Sequence, residues 1–156
     1  EVGGETHDAE VEAFMRAYVR TYAGRHAGNH ELRLKELIQK ALNQGDDVLQ
    51  AIEDELALME ANLPDEIADE ESVRGNNAAA KLIYELSAVT ALRWTSFGEN
   101  CPYCSSLDGI SVAIESNFID EGQNFQPDGA DTPLAPGRDI GHPPAHKGCD
   151  CMITAG

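Results

Sequence analysis

The residues best suited to chemistry fall in the last third of the sequence. Cys101-Pro102-Tyr103-Cys104 sets two thiols three positions apart, and His146-Lys147-Gly148-Cys149-Asp150-Cys151 adds an imidazole and two more thiols. The chain has no other cysteine. Thiolate sulfur and imidazole nitrogen are the donors that tetrahedral zinc prefers. A C-x-x-C turn aims two sulfurs at one point, and Gly148 gives the second half the backbone freedom to do the same. The spacing predicts a zinc site made by Cys101, Cys104, His146 and Cys149, with Cys151 the substitute for either of the last two. Such a site would tie together the ends of a long loop and supply cohesion to a stretch poor in apolar residues. Four is an even number, so disulfides among Cys101, Cys104, Cys149 and Cys151 are the alternative. Disulfide frameworks usually spread their cysteines through the fold, and these are confined to 101–151.

Motifs for catalysis are scarce. A catalytic zinc needs an open position and a carboxylate base nearby. Zinc nucleobase deaminases carry P-C-x-x-C preceded by H-x-E or C-x-E; here Asn100 precedes Cys101 and neither tripeptide lies upstream. H-E-x-x-H, the P-loop and G-x-S-x-G are all missing from the sequence. Glu71, Asp108 and Asp150 are available as bases, but carboxylates are too common in this chain to carry weight. His142 reads as a loop residue, and His7, His26 and His30 as solvated residues near helix ends.

The elements that must position the cluster follow from periodicity. Val11, Phe14, Met15, Tyr18, Val19 and Tyr22 predict a first helix capped by Asp8 and ending near Gly24 and Gly28. Leu34, Leu37, Ile38, Ala41 and Leu42 predict a second, closed by Gly45. A third, capped by Asp46 or Asp47, carries Leu49, Ile52, Leu56 and Met59. Pro64 suits the first turn of a fourth, which runs to about Val89 across the weak helical stretch Gly75-Asn76-Asn77. These stripes are too narrow to stand alone and must pack together or on a partner. Beyond them, Ala91–Ser96 and Ile110, Val112 and Ile114 alternate as strands, with turns at Phe97–Asn100 and Leu107–Gly109. Residues 115–145, rich in Gly, Pro, Asp and Asn, read as a long loop, and Cys149–Thr154 as a last short strand. The fold class expected is α+β: a helical region over 1–64, then a domain over 65–156 with a long helix, short strands and a small irregular β module stapled by the Cys/His cluster.

Charge narrows the partners. Eleven basic residues against twenty-eight acidic ones give −17, a surface that repels phosphate backbones. No apolar run approaches the ~20 residues of a membrane span. The sequence begins at Glu1 rather than Met, so a processed N-terminus is expected.

Four blocks, in order, resemble the Mu F-like (SPP1 gp7-like) head morphogenesis proteins of tailed phages. That family shows E-T-x-R-x-x-N, then R-W, then C-P-x-C-x-x-L-D-G, then P-P-x-H-P-x-C-R-C. Here the blocks are Glu71-Ser72-Val73-Arg74-Gly75-Asn76-Asn77, Arg93-Trp94, Cys101 to Gly109, and Pro143-Pro144-Ala145-His146-Lys147-Gly148-Cys149-Asp150-Cys151. The likeness covers roughly 65–154. Lys147-Gly148 and Asp150 depart from it where the family has proline and arginine. The resemblance implies a minor head protein at the portal vertex, in the virion head and in the host cytoplasm during assembly. Its partners would be the portal and other head proteins, with transient contact to packaged DNA, and this domain would have no enzymatic activity. The rival expectations are a zinc-dependent hydrolase or injected effector, and a zinc-stabilised nucleic-acid-associated module. Glu71, Arg74, Asn77, Trp94, Asp108 and Gly109 are the expected structural or partner residues. Arg74 and Asn77 would reach across to the cysteine module, and Trp94 would cover its core.

Overall fold

The computed structural model describes residues 7–45, 47–97 and 101–156. The elements are α1 (Asp8–Gln44), α2 (Val48–Leu86), β1 (Ala91–Thr95), α3 (Pro102–Leu107), β2 (Ser111–Ala113) and β3 (Met152–Ala155). They form an α+β fold divided into two units, Glu1–Pro64 and Asp65–Gly156, with α2 contributing to both.

Two long helices replace the four expected. Gly24 and Gly28 lie within α1, and a Cβ at either would meet nothing within 4 Å. Glycine there costs only about 1 kcal/mol of propensity each, too little to end a helix whose other residues favour it. Pro64 likewise lies within α2. Proline forfeits one backbone hydrogen bond, and the helix continues on both sides. Asp8 is the first residue of α1 rather than its cap; His7 takes the cap position without a side-chain bond. Gly45 closes α1 in the left-handed conformation, φ 74°, its N–H donating to the Ala41 carbonyl. Asp47 caps α2 through Oδ1, which accepts from the N–H of Leu49 at 3.0 Å and of Gln50 at 3.4 Å. Asp46 and Gly98–Asn100, the remainder of the expected cap and turn, lie outside the described residues.

In the first unit, Arg33 of α1 pairs with Glu55 of α2. Little of this unit is buried: Ala41 is, while Leu32, Leu42, Leu49 and Leu58 are more than half exposed.

The second unit is built on an antiparallel sheet of order β2-β1-β3. β1 is its centre. Leu92 and Trp94 alternate inward and are fully buried, with Arg93 exposed between them. The long loop is not formless. Ile119 bridges Ile140 and Phe125 bridges Leu134, so the segment folds back on itself as an irregular ladder. Ile119 and Ile140 join Trp94, Leu107 and the cysteines in one core, and Phe118 meets the Trp94 ring edge-on at 5.1 Å.

β3 is an edge strand whose outer backbone groups need partners. Asn77 of α2 supplies them. Its Nδ2 donates to the Cys151 carbonyl at 3.0 Å, and its Oδ1 accepts from the Ile153 N–H at 2.8 Å. The side-chain amide thus bonds the strand much as a neighbouring peptide group would. A second Nδ2 proton reaches the Val73 carbonyl at 2.9 Å. Arg74, expected to reach across beside it, instead keeps its hydrogen bonds on its own helix, to Glu70 at 2.5 Å and Glu71 at 2.6 Å. At those spacings both carboxylates lie one turn away on the same face, so they take the guanidinium first.

Replacing Asn77 with Leu strands the Ile153 N–H and the Cys151 carbonyl in a buried place. Each such loss costs about 1–3 kcal/mol. The second unit should therefore lose about 2–6 kcal/mol of stability. Denaturant unfolding followed by fluorescence of Trp94, the single tryptophan, checks this, and a midpoint equal to the parent's would refute the bridging role.

Candidate metal centre

Local structure delivers each donor. Cys101 is the N-cap of α3 and Pro102 its first residue, where proline's fixed φ and missing N–H cost nothing. The Cys101 Sγ accepts from the Cys104 N–H at 3.5 Å, which holds both sulfurs on one side of the turn. Asp108 and Gly109 then fasten α3 back to β1. The Gly109 N–H donates to the Trp94 carbonyl at 2.8 Å, and Asp108 Oδ1 accepts from the Ser96 N–H at 2.9 Å. That backbone donor holds the Asp108 carboxyl below its usual range. Gly109 has φ 78°, the left-handed conformation that favours glycine, and a Cβ there would stand 3.2 Å from the tip of the exposed Arg93 side chain, which is free to move aside.

The second half arrives on the segment before β3. The carbonyl of Lys147 lies 2.8 Å from His146 Nδ1. A carbonyl can only accept, so Nδ1 carries the proton and Nε2 is left with its lone pair. Nε2 faces the sulfurs, 3.1 Å from Cys101 and 3.2 Å from Cys104. This is the arrangement in which a protein prepares a histidine for a metal. The Tyr103 ring packs against the imidazole at a tilt of 54° and a centroid distance of 5.7 Å, and its hydroxyl donates to the Thr132 carbonyl, anchoring the loop to the site.

All five expected donors come together as two overlapping groups, Cys101–Cys104–His146 and Cys104–Cys149–Cys151, within each of which the ligand atoms lie inside 4.8 Å of one another. Cys104 belongs to both. The cluster can hold a metal ion. Disulfides, the alternative expected from the even count, are not formed: all four cysteines are free. The Cys104 and Cys149 sulfurs are 3.7 Å apart, against about 2.05 Å for a bonded pair. That separation is the edge of a tetrahedron with metal–sulfur bonds of about 2.3 Å.

Electrostatics within the cluster point the same way. Contact with the Cys104 thiol, then with Cys151, pulls Cys149 down to about 2. The reciprocal contacts with Cys149 and Cys151, with burial, push Cys104 up. Cys151 rises to about 11, because Cys149 and burial outweigh the lowering by Cys104. Three adjacent sulfurs can thus share one negative charge but not three, unless a cation joins them. The buried Trp94 Nε1–H meets no full hydrogen-bond geometry among the described residues, but it lies toward Cys151 and favours its thiolate. Beside Cys149 opens a cavity of about 470 Å³ where Asp69, Glu70 and Asp150 outnumber the lone Lys147, an approach that favours cations.

Sequence reasoning named Tyr103 only as a member of Cys101-Pro102-Tyr103-Cys104 and missed Phe118, Ile119 and Ile140. Their signal was present as isolated apolar residues in a polar loop, but without periodicity it could not be told from chance. Neither donor group contains a carboxylate. Glu71 stays on α2 with Arg74. Compared with known protein families, curated proteins and solved structures, the chain matches none.

Two outcomes are expected. Because Cys104 serves both donor groups, Cys104→Ser should weaken zinc binding at least about tenfold more than Cys101→Ser or Cys151→Ser. Titration against a chromophoric chelator measures this. Burial lowers His142 from 6.5 to about 4, so the folded state holds it neutral while the unfolded chain protonates it. Its contribution is complete above pH 6.5 and is lost as pH falls toward 4, to a total of about 3 kcal/mol. Unfolding of the metal-free chain at pH 7 and pH 4.5, beside His142→Gln, should show a steeper loss in the parent.

Proposed function

We propose that the chain is a minor head protein of a tailed phage, non-enzymatic, whose zinc-stapled C-terminal module serves assembly at the portal vertex. The observation that carries this reading is convergence. The four blocks of the resemblance are separate in sequence, yet Asn77, Trp94, Asp108, Gly109 and the cysteines meet in one small structure, while Glu71 and Arg74 of the first block pair on α2. Asn77 bonds Cys151 and Ile153. Trp94 lies in the core with Cys104, Cys149 and Cys151. Asp108 and Gly109 fasten the C-x-x-C turn to β1. A motif set assembled by chance has no reason to share contacts.

Zinc is the favoured ion because the donors are thiolates and an imidazole. Cys101, Cys104, His146, Cys149 and Cys151 would hold it, and its chemistry there would be cohesion. Five protein donors crowd the site, enough to fill a four-coordinate ion without a solvent ligand, which weighs against a hydrolase. The charge of −17 weighs against a nucleic-acid module.

Protein purified under reducing conditions without chelator should contain about one zinc per chain, and none would remove the zinc assignment. On this reading a portal gene should lie beside its own, and co-expression with that portal protein should yield a complex that survives gel filtration. If the two elute apart, and virions contain none of this chain by mass spectrometry, the assembly reading fails.

A further inference from the structure

The first half of α1 carries an apolar stripe. Val11, Met15, Val19 and Tyr22 are between 37% and 58% exposed. They follow one another at steps of four, four and three residues, so they share a face. Phe14 and Tyr18 border it, their rings 5.8 Å apart. A stripe of this kind is what one helix buries against another.

Charge indicates which helix. The chain carries −17, but α1 holds six Lys and Arg against five Asp and Glu, so the excess lies wholly elsewhere. Two copies of this protein repel one another over most of their surfaces but not along α1. The signs within the helix are also separated. Asp8, Glu10 and Glu12 open it, Arg16, Arg20 and Arg25 follow, and no acid stands between 13 and 30. A parallel neighbour would set like on like. An antiparallel copy sets the acidic start of each helix over the basic stretch of the other. In that register Val11 faces Tyr22 of the second copy, Met15 faces Tyr18, Phe14 faces Val19, and Asp8 faces Arg25 at both ends.

We infer that α1 is a self-association surface on which two copies pair antiparallel through the Val11–Tyr22 stripe. A stripe of a few residues from each copy is far short of the ~20–30 residues a side of a standard interface, so the dimer is weak, with a Kd in the micromolar range or above.

Sedimentation equilibrium of the full reduced chain, from about 1 to 200 µM, tests it. The parent should show a monomer–dimer equilibrium. Met15→Glu should raise the dissociation constant by about tenfold or more with helicity unchanged. Asp8→Arg, at an exposed first residue, should weaken the dimer, and added salt should then strengthen the remaining association by screening the like charges. An equimolar mixture of Asp8→Arg with Arg25→Asp should restore association. A parent that stays monomeric throughout assigns the stripe to a different protein and overturns the inference. So does an Asp8→Arg variant that dimerises like the parent, which would also serve if Met15→Glu failed to fold.

Discussion

Everything in the second unit depends on where Cys104 sits. Its sulfur is 3.7 Å from that of Cys149 and 3.2 Å from His146 Nε2, so it is the one atom that both halves of the cluster must approach. Those halves come from segments with nothing else in common: a six-residue helix and the irregular run before β3. The apolar core around them is small, and sulfur is a large part of it. Buried thiols behave as modest hydrophobes, but three so close together make their charge states exclusive. The same crowding that makes the cluster an adequate core makes it a better ligand set.

The helix and the sheet are joined by similarly economical means. Asn77 stands in for a missing neighbour strand, and it can do so because a primary amide offers donor and acceptor on one planar group. Aspartate would lack the donor. Arg74, only three positions away, is buried too, yet its hydrogen bonds stay within the helix. The difference is local. Glu70 and Glu71 are one turn from Arg74, and opposite charges at that spacing pair before longer reaches can compete.

Much of this could be read in the sequence, and what could not has physical reasons. The strands were legible because alternation at Leu92 and Trp94 is strict and turn residues flank it. The donors were legible because few residues share their chemistry. The helix boundaries were not: Gly24 and Gly28 cost about 1 kcal/mol each, which a long helix absorbs, and Pro64, which costs about 3 kcal/mol, falls where the two units divide without ending α2. The ladder within 115–145 was hidden because its rungs, Ile119 with Ile140 and Phe125 with Leu134, are single residues with no period. Asn77 was named as a bridge, but nothing in the sequence distinguishes it from Arg74.

Those same rungs bear on the order in which the chain organises. Bringing His146 to Cys104 directly would close one large ring at once. With the rungs in place the closure can proceed in steps: Phe125 meets Leu134 across a short span, Ile119 meets Ile140, and the stretch left to close before the donors face each other is about half of the original. Entropic cost grows with the logarithm of ring size, about 0.6 kcal/mol per doubling, and each rung recovers part of it in contacts before the next is attempted. The loop acts as a zipper that presents its own ends, so an arriving ion finds the two halves of the cluster already near one another and need not gather them from an open coil.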